Sequence, residues 1–135
     1  MSWQAYVDDH LLGELPNGGE VTKAAIFSHE GDLWAGSPGF PTIEEADFVH
    51  MMKAYEDNTK GEVAASGIKV AGEKYMFVRS DDQALLARQG QAWGFTAHKT
   101  GLAVLIAIYN EECQPADVEV RISTLADYLR TNAYQ

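Results

Sequence analysis

Cysteine occurs once in the sequence, at Cys113, so no internal disulfide can staple the fold, and a reducing compartment is expected. Basic residues are also scarce: ten Lys and Arg stand against twenty Asp and Glu, for a net charge of −10. A general nucleic-acid binder draws its affinity from clustered cations that displace counterions, and this balance argues against one. Proline and glycine punctuate the chain without gathering into a linker, and no repeat is visible. No apolar run approaches the roughly 18 residues that suggest a membrane-spanning helix. The opening Met1-Ser2-Trp3-Gln4-Ala5-Tyr6-Val7-Asp8-Asp9 lacks a basic segment followed by an apolar stretch, so it does not read as a secretory signal.

What remains is the composition of an ordinary soluble domain. With 46% hydrophobic and 22% charged residues over 135 positions, one domain spanning residues 1–135 is expected to bury a single core, as a monomer. The charge is uneven. Residues 1–62 hold twelve acidic and three basic side chains, whereas residues 63–135 hold eight and seven. Any cationic surface must come from the second part.

Ser2 can cap a first helix on which Trp3, Tyr6, Val7, His10 and Leu11 share one arc, ended by Gly13 and the Pro16-Asn17-Gly18-Gly19 turn. Val21 to Ser28 reads as a strand, and His29-Glu30-Gly31-Asp32 as a turn into a short strand carrying Leu33 and Trp34. Thr42 and Glu45 have capping-box spacing, and Phe48, Met51, Met52 and Tyr55 follow at helical intervals, predicting a second helix.

From Gly67 onward the runs 68–71, 74–79, 84–88, 93–98 and 102–109 are strand-like, and their connectors are too short for parallel crossovers. They predict an antiparallel meander. Its last member, Leu102 to Ile108, is apolar on both faces and calls for a cover on each side. Pro115 opens a closing helix with the stripe Val118, Ile122, Leu125 and Leu129. The predicted class is α+β, a central antiparallel sheet sandwiched between helical layers.

Catalytic constellations are not evident. The four histidines fall in four different predicted elements, none with metal-ligand spacing, and Cys113 has no nucleophile motif around it. Adjacent carboxylates such as Asp8-Asp9 and Glu111-Glu112 point apart on a regular backbone, whereas acid/base chemistry needs convergent groups. No phosphate-cradling glycine loop is present. A non-enzyme that needs no cofactor and no metal is the expectation.

The aromatic residues of the two ends stand out instead. Trp3 and Tyr6 share a face of the first helix, Tyr128 lies on the flank of the last helix off its apolar stripe, and Tyr134 lies beyond. Two readings are open. The rings could simply dock the terminal helices on the sheet, or they could form an exposed platform. A platform would suit a polyproline II segment, which is extended before it binds and offers free carbonyls to Trp N–H and Tyr O–H donors.

Several segments resemble profilins of the plant and protist type. They are Ser2-Trp3-Gln4-Ala5-Tyr6-Val7-Asp8; Ala24-Ala25-Ile26 with Gly31-Asp32-Leu33-Trp34-Ala35; Gly72-Glu73-Lys74-Tyr75-Met76; His98-Lys99-Thr100-Gly101; Ile108-Tyr109-Asn110-Glu111; and Ala126-Asp127-Tyr128-Leu129. They run in order over nearly the whole chain. The resemblance implies a fold with the N- and C-terminal helices together on one face. It implies a poly-L-proline site at Trp3, Tyr6, Trp34, Tyr128 and Leu129, joined by Tyr134. It also implies actin-monomer contacts at Lys74, Met76, Arg79, Arg88, Lys99, Gln114, Glu119 and Val120, and proline-rich partners such as formins. Trp34 enters by resemblance alone.

Many family members carry G-K-K-G where this chain has Ala87-Arg88-Gln89-Gly90. One basic residue is therefore missing from a loop associated with anionic partners, which argues against phosphoinositide binding. The competing expectation is a small-molecule sensor or scaffold domain, which would need an apolar pocket beside the sheet.

Overall fold

The computed structural model describes residues 3–40, 43–56, 60–70, 73–90 and 93–131. Ser2, Thr42, Ala71, Gly72 and Tyr134, which figure in the sequence reading, lie outside them. Nine strands and four helices follow in order among the described residues. They are α1 (Trp3–Tyr6, continued by a π turn Val7–Leu11), β1 (Gly13–Glu14), β2 (Glu20–Val21), β3 (Lys23–Ser28) and β4 (Leu33–Gly36). After these come α2 (Glu45–Met52, continued by a 3₁₀ turn Lys53–Tyr55), α3 (Lys60–Ser66), β5 (Ile68–Val70), β6 (Glu73–Ser80), β7 (Ala84–Gln89), β8 (Trp93–Lys99), β9 (Ala103–Asn110) and α4 (Pro115–Thr131).

Seven strands form one antiparallel sheet in the order β4-β3-β9-β8-β7-β6-β5, and β1 pairs with β2 separately. The predicted meander is present from β5 to β9, each strand pairing with the next. Strand β9 closes it against β3 and is interior, as its two-faced apolar pattern requires. Its side chains alternate between two cores. Ala103, Leu105, Ala107 and Tyr109 pack with Tyr6, Val7, Leu11, Val118, Ile122, Leu125, Ala126 and Leu129 under α1 and α4. Val104, Ile106 and Ile108 pack with Phe48, Met51, Tyr55, Val63, Phe95 and Leu85 under α2 and α3. The terminal helices thus share one face of the sheet.

Three local features differ from the sequence reading. The first helix is not regular: after one α turn it widens, and the Leu12 N–H donates to the Val7 carbonyl at 3.0 Å. Arg121 of α4 explains how this end is tolerated, because its guanidinium donates to the carbonyls of Leu11, at 2.9 Å, and Leu12, satisfying acceptors that a helix end leaves orphaned. The widening keeps Val7 and Leu11 buried while His10 is exposed.

Helix α2 begins at Glu45, preceded by Glu44 in extended conformation with no side-chain capping bond, and the predicted cap Thr42 lies outside the described residues. Burial of Phe48 and Met51 carries this helix. Helix α3 and the β1–β2 hairpin were not anticipated. The hairpin loop presses on the β9–α4 turn at Gly19, where φ is +83° and a Cβ would meet the Glu112 carbonyl oxygen at 2.6 Å.

Candidate functional site

Four aromatic rings from three elements form a continuous row. Trp34 of β4 lies 5.1 Å from Trp3, Trp3 lies 5.8 Å from Tyr6, and Tyr6 lies 6.3 Å from Tyr128 of α4, centroid to centroid and all tilted. Tilted contacts at such spacing are favourable for aromatic quadrupoles. His10 extends the row from Tyr6 at 5.9 Å. The row is anchored locally. Gln4 Nε2 donates to the Gly36 carbonyl of β4 at 3.1 Å, and the α1 terminus is held by Arg121 of α4.

Exposure divides the group. Trp34 and Tyr128 are 40% and 48% exposed, large values for rings this size, and Trp3 is partly buried. Tyr6 is buried at the centre of the row, and Leu129 is fully buried in the core beneath it, on the inner stripe of α4. The structure therefore supplies elements of both readings: Tyr6 docks helices, whereas Trp34 and Tyr128 present open faces. Leu129 does not reach the platform surface.

The second set of residues separates by strand parity. Tyr75, Ala87, Phe95 and Ala97 point into the α2/α3 core, so their strand neighbours Lys74, Met76, Arg88 and His98 point to the opposite face. A bulge after Phe77 brings Arg79 opposite Leu86 on that same face. Lys74, Met76 and Arg79 are exposed, Met76 at 70%, and Arg88 is half-buried. Glu119, one turn into α4, borders a recess of about 320 Å³ with Arg79, Ser80, Asp81, Ala84 and Leu86. Gln114 and Val120 are exposed at the start of the same helix, Val120 towards a groove shared with His10 and Pro16 of the N-terminal segment.

Lys99 does not join this surface. It follows His98, so its side chain leaves on the other face, where its ammonium lies 5.7 Å from the centre of the Tyr55 ring. The basic residue was legible in the sequence, but its side of the sheet was not. Conversely His98, which sequence reasoning left unassigned, is buried on the surface side and lies 2.7 Å from Glu119 through Nε2.

Burial raises the pKa of the Tyr109 hydroxyl, with the Arg88 guanidinium acting against the rise. Burial also holds Tyr55 well above the ordinary phenol value, consistent with its hydroxyl donating to the Ala97 carbonyl at 2.9 Å. Side chains pack on both faces of the sheet, and a recess of about 310 Å³ lined by Lys23, Val70, Tyr75, Trp93 and Ile108 among others lies beside it.

A seven-stranded antiparallel sheet with both terminal helices on one face is the profilin fold. The chain belongs to the profilin family, whose sequence model matches residues 1–134. It is similar to profilin II of Acanthamoeba castellanii at 35% identity, covering 96% of this chain and 98% of that one, with a TM-score of 0.81. Profilin of Schizosaccharomyces pombe is 30% identical over 98% of this chain and 100% of its own, with a TM-score of 0.82. The fold also matches mouse profilin IIa, solved in complex with a double repeat from the FH1 domain of mDia1, at 18% identity over 97% of this chain and 98% of that one, with a TM-score of 0.74. The family is one of actin- and poly-proline-binding proteins of the cytoskeleton.

Proposed function

We propose that this protein binds the actin monomer on the β6–β8 face beside α4 and a proline-rich segment on the ring row, and so regulates actin polymerisation. The observation that carries the reading is the row Trp34–Trp3–Tyr6–Tyr128, open at Trp34 and Tyr128. A polyproline II ligand loses little conformational entropy on docking against such rings, and its carbonyls can accept from the indole and phenol donors. Mouse profilin IIa is solved with an FH1 repeat, which supports formin-type segments as the ligand class here.

On the other surface, Lys74, Arg79 and Arg88 form no ion pair with the described residues and supply cations to a partner. Two separate surfaces allow both ligands at once. Actin's covered end is withheld while its other end stays free to join a filament, and the proline contact tethers the complex where filaments grow, raising effective concentration. Ring stacking predicts a proline affinity with weak salt dependence, and exposed charges predict an actin affinity that falls with salt.

Retention on immobilised poly-L-proline and slowed spontaneous assembly of purified actin test the two halves separately. Wild type is expected to do both. Flow-through on the column sinks the proline site, and unchanged actin assembly sinks the actin face.

A further inference from the structure

We infer that His98 is a positioning residue for the actin-facing surface, fixing the carboxylate of Glu119 beside Arg79 on the face that also carries Lys74 and Arg88; this rests on the actin reading above. Nothing in that reading needs a histidine at this place. His98 lies on the interior strand β8, paired on both sides, Ala84 opposite it on β7 and Leu105 on β9. It is 4% exposed, and its Nε2 lies 2.7 Å from Glu119 Oε1.

Two features distinguish the contact from ordinary helix docking. Helix α4 is already seated by the fully buried Val118, Ile122 and Leu129 and by the Arg121 bonds to α1, so a polar pair is not required to hold it. Moreover, Nδ1 of His98 is buried with no hydrogen-bond partner, as are Glu119 Oε2, Thr96 Oγ1 and Arg88 Nε in the same layer. Among the described residues the ring's only bond is to Glu119, so its polar function is directed there. An apolar side chain would fill the same space without leaving an orphaned nitrogen.

The consequence is a charge pattern. A carboxylate anchored to a rigid strand borders the recess with Arg79 and shares the face of Lys74 and Arg88. A partner must then offer acidic groups to the cations and a donor or cation at Glu119, and a partner with uniform negative charge is disfavoured. Freed from His98, the half-buried Glu119 side chain could change rotamer, fold onto Arg79 and cancel the pattern.

Actin-monomer affinity is measured for His98→Leu, His98→Gln, Glu119→Ala and the His98→Leu/Glu119→Ala pair, with poly-L-proline retention and thermal stability followed in parallel. His98→Leu is expected to weaken actin binding about tenfold, as does Glu119→Ala, and the pair is expected to be no weaker than either single variant. His98→Gln keeps an N–H donor and should stay within about twofold of wild type. Wild-type actin affinity in His98→Leu, or effects of the two singles that add, overturns the inference while leaving the actin reading standing. If wild type itself does not bind actin, the reading falls and the inference with it.

Discussion

The indole of Trp3 lies against the indole of Trp34, ring centroids 5.1 Å apart and planes inclined by 38°. One ring comes from the first helical turn and the other from the edge strand β4, so the contact exists only once α1 has settled on the sheet. Replacing either ring by alanine is therefore expected to remove at least tenfold of the affinity for a proline-rich peptide, because each holds the other in place. Fluorescence titration with an oligoproline checks this, with actin binding unchanged as the control.

Arg121 joins the two helices that carry the row. Its donors serve the carbonyls of Leu11 and Leu12, so Arg121→Ala leaves orphaned acceptors at the end of α1. A loss of about 1.5–3 kcal/mol is expected for bonds to a charged group. Urea denaturation measures it, and hydrogen exchange should show α1 opening before the sheet. Weakened proline binding should accompany the change, since Trp3 and Tyr6 lie on the α turn that precedes this end.

Gly94 is opposite Tyr109 across β8 and β9, and a Cβ at Gly94 would meet the Tyr109 hydroxyl at 2.5 Å and the Ala87 carbonyl oxygen at 3.0 Å. Gly94→Ala must push a packed ring or a strand aside. A loss of about 1–3 kcal/mol is expected, read from the urea midpoint.

Burial raises the Tyr55 pKa, and a Coulombic contribution from Arg130 acts in the opposite direction without reversing the rise. The folded state therefore keeps its phenol protonated where the unfolded chain, with an ordinary value of about 10, has lost its proton. Stability from this group is complete below pH about 10 and falls progressively as the pH rises above it. Tyrosine absorbance followed through an alkaline titration should show Tyr55 ionising only as the protein unfolds. Ionisation in the folded state at the ordinary phenol value contradicts the assignment.

The parts of the fold that repeat a period were legible in the sequence. Strand β9 announced two covered faces through an unbroken apolar run, and α4 announced its inner face through Val118, Ile122, Leu125 and Leu129, all buried as expected. Helix α3 was missed because its residues Lys60 to Ser66 carry little apolar periodicity, and Val63 alone among its described side chains lies in the core. The π turn of α1 was illegible because it depends on Arg121, far along the chain.

The candidate surfaces divide in the same way. Trp3, Tyr6 and Tyr128 could be grouped by helical spacing, but Trp34 could not, since nothing local says that β4 passes beside α1. Family resemblance named it, and the ring contact supplies the physical reason. The depth of Leu129 was written in its own stripe, whereas strand parity at Lys99 becomes decisive only when its neighbours' burial is known.

The central claim is that two ligands occupy different faces of one molecule. Sedimentation velocity of monomeric actin with a fluorescent proline-rich peptide, with and without the protein, tests it directly. The label is predicted to sediment with actin only when the protein is present and to return to the slow boundary with Trp34→Ala. Displacement of the labelled peptide by rising actin would show that the two ligands compete for one surface and would contradict the account.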